Sequence, residues 1–357
     1  MKPLAERENR ADIERDHIEL ERVPRQPDAR AEAVLDETVV RIRKARQDSR
    51  PVVMAFGAHA IKNGLGPVLT GLLERGWLTH LATNGAAIIH DWEFSFLGRT
   101  SEQVKQNVAD GSFGNWEETG RYLNLAINVG AYEGRGYGES VGAFIENEAL
   151  TIPSAEELCR QVRELAETNP EQSAAAADLL AIVRRFHLAP GRMSIPHPWK
   201  RFSPQAAAYR LGIPFTGHPM IGHDIIYNHP MNHGASLGRA ALRDFLAFAA
   251  SIRSIEDGVY LSVGSAVMSP MIFEKSLSMA QNLALQEGRR IRNHFIAVVD
   301  LAESSWDWRQ GEPPETDPAY YLRQNKSFSR MGGTLRYLRM DNRDFLLHLL
   351  HRLGPKR

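Results

Sequence analysis

The sequence predicts an α/β fold, in which one doubly wound, mostly parallel sheet follows a charged helical arm and carries a large helical insertion. Two observations predict it. Short apolar runs end in small residues and lead directly into helical patterns, as "RPVVMAFGAH" does before "NGLGPVLTGLLERGW", which is the signature of parallel βαβ units. The order recurs near the C-terminus, where "HFIAVVDLAE" is almost wholly apolar, as expected of a strand covered on both faces.

The predicted elements follow in order. Residues 1–48 form the charged arm, including an amphipathic helix in "DARAEAVLDETVVRIRKARQDS", and residues 49–357 form a single domain. Its first unit ends in the strand of "THLATNGA", and a helical insertion spans about residues 92–200. Within it, "NVGAYEGRGYGESVG" predicts a Gly-rich loop or lid. The strand "IPFTG" comes next, then "GVYLSVG", "HFIAVVD" and "TLRYLRMD", the last before a capped C-terminal helix.

Composition limits the classes of protein. Lys and Arg total 43, as do Asp and Glu, so a broad basic face for nucleic acid is not expected. The single cysteine, Cys159, allows no intrachain disulfide and favours a reducing compartment, the cytoplasm. No apolar run is long enough for a membrane span, so no membrane partner is expected.

The stretch "PFTGHPMIGHDIIYNHPMNHG" concentrates four histidines and one aspartate in residues 214–234. It leaves the carboxyl end of a predicted strand, where ligands bind in open α/β sheets. One interpretation is an N/O metal site for zinc, iron or manganese. Another is a metal-free active-site loop with an imidazole as general acid or base, and a third is a purely structural loop. We favour a substrate-facing loop. The metal ligands would be His218, His223, Asp224, His229 and His233, and the acid–base candidates are His218, His223 and His90.

Three strand-end turns are candidate cofactor contacts. Backbone N–H groups at such turns suit a phosphate, and glycine lets a ligand approach the backbone closely. Each turn could equally be structural. The residues are Asn63 and Gly64 in the first turn, Thr83, Asn84 and Gly85 in the second, and Gly264 and Ser265 in the third.

Four blocks, in order and spacing, resemble the deoxyhypusine synthase family. They are "GAHAIKNGLGPVLTGLLERGWLTHLATNGAAIIHD", "AAAYRLGIPFTGHPMIGHDIIYNH", "YLSVGSAVMSPMIFEKSLSMAQN" and "QNKSFSRMGGTLRYLRMDNRDFLLHLL". The resemblance covers about two thirds of residues 50–352 and rests on no single motif.

The resemblance implies a Rossmann-like NAD-binding fold and an NAD-dependent aminoalkyl transfer, with an amine such as a polyamine as substrate. Lys326 falls where the family's imine-forming lysine lies, and it would need a lowered pKa to react near neutral pH. Asp224 would bind a substrate ammonium. Asp341, His59, Thr83, Gly85, Gly264 and Ser265 would lie beside NAD. Family members are tetramers with sites shared between subunits, so a homotetramer is implied.

The sequence also departs from the family. Pro270 and Met271 replace its catalytic histidine, and His218, His59, Gln324 and Tyr320 replace other site residues. With fewer carboxylates, a polycation such as spermidine fits less well, and modification of a translation factor is not expected. Two other functions stay open, namely a metal-dependent hydrolase or lyase using residues 218–233, and a non-catalytic nucleotide-binding protein.

Overall fold

The computed structural model describes residues 1–355, so the last two residues of the predicted domain lie outside it. It contains ten strands and fifteen α-helices in that range. The strands are β1 (Ala11–Asp12), β2 (Val52–Phe56), β3 (His80–Thr83), β4 (Arg99–Thr100), β5 (Ala149–Ile152), β6 (Gly191–Ser194), β7 (Phe215–Gly217), β8 (Val259–Val263), β9 (Phe295–Asp300) and β10 (Thr334–Arg339). The helices are α1 (Ile13–Asp16), α2 (Ala29–Gln47), α3 (Ala58–Lys62), α4 (Gly66–Glu74), α5 (Gly85–Leu97), α6 (Val104–Ala109), α7 (Glu117–Tyr132), α8 (Tyr137–Asn147), α9 (Ala155–Leu165), α10 (Pro170–Arg185), α11 (Pro204–Leu211), α12 (Gly234–Arg253), α13 (Met268–Gln286), α14 (Arg323–Ser329) and α15 (Asn342–Leu353).

Six strands form one sheet in the order β10-β9-β8-β2-β3-β7, and every neighbouring pair is parallel. Numbered along the chain, these six strands stand in the order 3-2-1-4-5-6, which is that of doubly wound dinucleotide-binding folds. The predicted α/β class and mostly parallel sheet are therefore confirmed. The order reverses between β2 and β8, and ligands bind at the carboxyl edge of such a point.

Side chains alternate across the sheet, as the period of two in a strand requires. Val52, Met54 and Phe56 of β2 join the apolar core on one face, whereas Val53 and Ala55 join the core on the other. All five are fully buried. Burial on both faces explains why β2 reads as one continuous apolar run.

The arm differs from the prediction of a helical segment over its first 28 residues. These residues are mostly extended, with one four-residue helix, and they lie against the body of their own chain. Leu4, Ile13 and Ile18 are buried there, and β1 pairs antiparallel with β4. Because burial of these separated anchors requires an extended path, tertiary packing overrides the helical pattern.

The Gly-rich segment is a second correction, because it forms two packed helices, α7 and α8, rather than a loop or lid. Its glycines allow close approach. A Cβ on Gly130 would lie 1.9 Å from the hydroxyl of Ser140, and one on Gly138 would lie 2.2 Å from the carbonyl oxygen of Phe215. Over residues 1–355, no helix has the length and apolar character to cross a membrane.

Candidate functional site

The loops that follow β2 and β8 meet at the point where the strand order reverses. A Cβ on Gly57 would lie 2.1 Å from the carbonyl oxygen of Gly264, so only glycine fits there. Gly264 has φ of +59° and is exposed. The space where its own Cβ would stand is free of other atoms of residues 1–355 within 4 Å. A ligand can therefore approach the backbone of this loop from the open side.

The structure gives most predicted cofactor side chains a bond within the protein. The hydroxyl of Thr83 donates to the carbonyl of Phe56 at 2.7 Å, and the side chain of Asn84 caps α5 through the N–H of Ala87 at 3.0 Å. Asp341 caps α15 in the same way through the N–H of Arg343, and the hydroxyl of Ser265 accepts from the N–H of Ser269 in the first turn of α13. Their positions at the carboxyl edge agree with the prediction, but their contact with a cofactor stays a prediction.

Asn63 and Gly64 face the terminal segments instead of an open crevice. The amide of Asn63 donates to the side chain of Asn342 at 3.1 Å. A Cβ on Gly64 would lie 2.2 Å from the carbonyl oxygen of Asp16, in the arm. His59, by contrast, is exposed on α3. Gly64 thus serves the close approach of the arm, which the sequence alone did not indicate.

A cavity of about 190 Å³ lies beside the carboxyl end of β3. The first turns of α5 form one wall, the His-rich loop another, and the N-terminal arm closes it. The cavity therefore brings together residues that are more than 200 positions apart. Its lining residues are Arg7, Lys62, Ala86, Ile89, His90, Glu93, Ser101, Glu102, Val104, Phe113, His223, Asp224 and Ile225.

Asp224 is the most unusual group in this cavity. Its Oδ2 is buried and has no hydrogen-bond partner within residues 1–355. Burial raises the pKa of the Asp224 carboxyl to about 6, although the nearby His223 and the N–H of Ala86 act to lower it. Gly85 makes room for the carboxylate, since a Cβ there would lie 2.2 Å from Oδ2. A buried acceptor without a donor is costly, so a donor brought to this carboxylate would be stabilising.

Two tyrosine hydroxyls share the environment of Asp224. The hydroxyls of Tyr137 and Tyr227 are buried and lack partners within residues 1–355. Burial, and then the charge of Asp224, raises the pKa of both phenols. Both therefore stay protonated at neutral pH and can donate a hydrogen bond.

The predicted acid–base histidines fall into two groups. His90 bonds the hydroxyl of Thr100 at 2.7 Å, and burial lowers its pKa to about 4. His218 bonds the hydroxyl of Thr216 at 2.9 Å, and burial lowers its pKa to about 3. Imidazoles with these pKa values are neutral at pH 7, which does not favour a general acid or base near neutral pH, and the acid–base role of the two residues stays a prediction. His223 differs, because it is exposed and lines the cavity beside Asp224.

His218 belongs to a buried hydrogen-bonded chain that the sequence did not reveal. The Thr216 hydroxyl also contacts His80 Nε2 at 2.9 Å, and His80 Nδ1 contacts the Ser251 hydroxyl at 2.8 Å. Burial lowers the pKa of His80 to about 3. This series of hydrogen bonds joins β3, β7 and α12. It stabilises the neutral form of the two histidines inside the sheet.

The His-rich loop does not form the metal site weighed from its sequence. Within residues 1–355, no group of three or more His, Cys, Asp or Glu side chains is arranged to hold a metal ion. His229 Nδ1 accepts from the N–H of Met231 at 3.0 Å, and its Nε2 lies 3.4 Å from Glu117. His233 caps α12. Because these rings have partners in different directions, they cannot converge on one ion.

Lys326 lies apart from the Asp224 cavity within the single chain. Its Nζ lies 3.3 Å from Glu312 and 3.2 Å from the ring centroid of Tyr320. These contacts raise the pKa of Lys326, and the contact with Tyr320 contributes most. The predicted role as an imine-forming lysine requires a lowered pKa. Its helix α14 lies at the end of β9, where Gln324 approaches Asp300 at 3.5 Å. β9 is three strand spacings, about 14 Å, from β3.

A buried ion pair beside the cavity was missed by sequence reasoning. The guanidinium of Arg7 donates to both oxygens of Glu93, at 2.7 and 2.8 Å. Both side chains are 1% exposed, and the hydroxyls of Thr100 and Thr119 also donate to Glu93. The pair spans 86 positions and belongs to no motif, so no local signal could have found it.

Comparison with known proteins identifies no family. No protein-family model matches the chain, and no curated protein does. Solved structures match at low identity. They include the cyanobacterial arginine dihydrolase ArgZ (12% identity, TM-score 0.42, 91% of this chain and 33% of that one), the ternary complex of AgrE with ornithine and NAD+ (14%, 0.44, 93% and 34%), and a putative LOR/SDH protein from Methanococcus maripaludis S2 (13%, 0.42, 92% and 69%).

The chain spans about a third of the length of ArgZ and AgrE. At these identities and TM-scores, the likeness transfers neither substrate nor cofactor to this chain. The functional argument therefore rests on the strand order and on the Asp224 cavity.

Proposed function

We propose that this protein is an NAD-dependent enzyme that acts on a small amine, with the substrate's ammonium group bound by Asp224. The observation that carries the proposal is Asp224, a residue that lines a cavity at the carboxyl edge of the sheet and whose buried Oδ2 lacks a donor within residues 1–355. An ammonium would donate a charge-assisted hydrogen bond to it. The pKa of about 6 leaves the carboxylate ionised at neutral pH.

The strand order supports the dinucleotide. Its reversal between β2 and β8 marks the usual place for a dinucleotide in this topology. Gly264, whose loop touches the buried Gly57, is exposed there, and His59 on α3 is also accessible. NAD at this edge would accept a hydride from the carbon that bears the amine.

The cavity favours a substrate that carries both a positive and a negative charge. Lys62 lines the same cavity as Asp224 and has no ion pair within the described part of the chain. Burial lowers the pKa of Lys62, and Arg10 adds to this. An ammonium at Asp224 and a carboxylate at Lys62 would together suit an amino acid. The volume is below the roughly 300 Å³ of drug-sized sites, which disfavours a long polyamine.

His223 is the proposed proton acceptor. It is exposed at the cavity mouth and adjacent in sequence to Asp224. For a hydride to pass from the substrate carbon to NAD, the bound ammonium would first have to lose one proton, and the carbon–nitrogen bond would then become an iminium. An imidazole can take that proton near neutral pH.

The test is calorimetric titration with NAD and with a panel of amino acids and diamines. Asp224→Asn should weaken amine binding by about 1.5–3 kcal/mol, the value of a hydrogen bond to a charged group, while NAD binding stays unchanged. Lys62→Met should weaken only substrates that carry a carboxylate. A protein that binds neither NAD nor any amine would refute the proposal.

A non-catalytic nucleotide-binding protein is the second candidate. It is favoured by the internal hydrogen bonds and low pKa values of His90 and His218, which make both poor bases at neutral pH. NADH formation with a bound amine, followed by absorbance, separates the two. Ligand binding without turnover would support this second function.

Aminoalkyl transfer through Lys326, a deoxyhypusine synthase-like fold and a tetramer stay predictions of the sequence resemblance. The raised pKa of Lys326 does not favour the transfer. For this reason we propose amine oxidation rather than group transfer.

A further inference from the structure

Helix α12 presents an apolar face to solvent. Leu242 is 57% exposed and Leu246 is 49% exposed, and the exposed positions one turn away on either side are Gly238 and Ala250. At 100° per residue these four positions fall within one stripe about 120° wide. A surface helix normally turns such a stripe toward its own core.

The charged side chains of α12 point elsewhere. Arg239 pairs with Asp178 of α10 at 2.8 Å, with both side chains about four-fifths buried. Arg243 donates to the carbonyl of Ala131 in α7 at 2.7 Å. Asp244 is buried and accepts from the N–H of Gly217. Three of the four charged side chains of α12 thus make internal contacts, and the fourth, Arg253 at the end of the helix, forms an exposed ion pair with Glu287 at 2.6 Å.

Helix α13 extends this face. It packs beside α12, and its exposed residues include Met271, Met279 and Leu283, each between 41% and 47% exposed, together with the ion pair of Glu274 and Lys275. The outer face of the helix pair measures roughly 24 by 20 Å in projection, from the helix rise and usual packing distance. Accessible area exceeds projected area, which brings this face toward the ~800 Å² per partner of a stable interface.

We propose that α12 is a twofold interface with a second copy of this chain. An antiparallel pairing about the midpoint of the stripe places Leu242 of one copy opposite Leu246 of the other, and Gly238 opposite Ala250. Large residues then meet at the centre and small ones at both ends, where the helix backbones can approach closely. A Cβ on Gly238 would meet nothing within 4 Å among residues 1–355, so this position is open to a partner.

The charge balance fits the same partner. The chain carries 43 basic and 43 acidic residues, so two copies have no net charge with which to repel each other. The stripe itself offers no charge to an acidic or basic partner. A self-complementary patch is what a twofold homodimer requires.

The face is also connected to the candidate site. α12 begins at Gly234, directly after the His-rich loop, and His233 caps it. The assembly does not depend on the proposed function, because a dimer could form whether or not the cavity binds an amine.

Sedimentation velocity of the full chain, from low to high micromolar concentration, tests the interface. The wild-type chain should dimerise or form a larger assembly built on this dimer. Leu242→Glu should weaken association roughly thirtyfold or more, as expected for a central interface residue worth about 2 kcal/mol. Val108→Glu, at a residue 60% exposed on α6, is the matched control and should leave association unchanged.

A second variant tests the twofold geometry. In Leu242→Glu/Leu246→Lys, each new carboxylate would face the new ammonium of the other copy, so association should recover relative to Leu242→Glu alone. A wild-type chain that stays monomeric at every concentration would overturn the proposal. So would assembly that is insensitive to Leu242→Glu, or a double variant without recovery.

Discussion

At the scale of single residues, Asp224 and Gly85 show how a site arises from an ordinary-looking pair. The sequence placed Asp224 in a functional loop and Gly85 at a strand end. It could not indicate that the missing Cβ of one provides the space for the carboxylate of the other. That contact joins positions 139 residues apart and depends wholly on the packing of the loop against α5.

Gly85→Ala should therefore abolish amine binding while leaving stability almost unchanged. The new Cβ would lie 2.2 Å from Asp224 Oδ2 and displace the carboxylate. Gly234→Ala is the matched control, because Gly234 also begins a helix and its Cβ would meet nothing within 4 Å in residues 1–355. Calorimetric titration and urea unfolding of both variants measure the two effects. Equal amine affinity in Gly85→Ala and the wild type would contradict this account of the site.

Lys326 should stay unmodified when the protein is treated with NAD, amines and borohydride. Its contacts with Tyr320 and Glu312 raise its pKa, so the amine is protonated at neutral pH and is not a nucleophile. Peptide mass spectrometry after trapping measures this. An adduct at position 326 would restore the imine mechanism and require another copy or a rearrangement to bring Asp224 close.

At the scale of elements, the six sheet strands were predictable and the arm was not. Strands buried on both faces, such as β2 and β9, are nearly continuous apolar runs, which the sequence displays directly. The path of residues 1–28 depends on distant partners, above all Glu93 for Arg7. The same reason explains the Gly-rich segment, whose glycines serve helix contacts that only the assembled fold creates.

Arg7→Met should destabilise the protein by about 3–5 kcal/mol, because it leaves the buried carboxylate of Glu93 without its counter-charge. Adding Glu93→Gln should recover part of the loss. Arg201→Met removes an arginine from an exposed pair with Glu14 and should change stability by less than about 1 kcal/mol. Urea unfolding measures all three. A loss as small as that of the control would mean that the arm does not depend on this pair.

At the scale of the whole molecule, buried histidines and buried aspartates have opposite effects on how the free energy of unfolding depends on pH. Burial lowers the pKa values of four histidines strongly and raises the pKa values of three aspartates. Each of these groups therefore binds a different number of protons in the folded and in the unfolded chain. The histidines are His80, His90, His197 and His218, and the aspartates are Asp91, Asp224 and Asp244. Between pH 4 and 6, the histidines gain protons on unfolding and the aspartates release them.

The free energy of unfolding should therefore fall as pH drops below 6.5, because the unfolded histidines bind protons that the folded ones do not. The aspartates reduce this loss. The carboxyl of Asp91 has a pKa of about 6, and Asp91→Asn removes it. This change should make the free energy of unfolding depend more steeply on pH between pH 7 and 5, by up to about 1.4 kcal/mol per pH unit. Urea titrations at both pH values test this, and an unchanged slope would show that Asp91 is ionised in the folded protein.

The sequence by itself determined the α/β class, the six sheet strands, the cap of the C-terminal helix and the edge of the sheet at which polar residues collect. These features depend on hydrophobic periodicity and on the alternation of side chains along a strand, and both can be recognised from neighbouring residues. Only the tertiary structure decided which of those polar residues have all their partners within residues 1–355 and which, like Asp224, have a buried atom without one. Burial and hydrogen bonding between distant segments set that distinction, and they have no counterpart in local pattern.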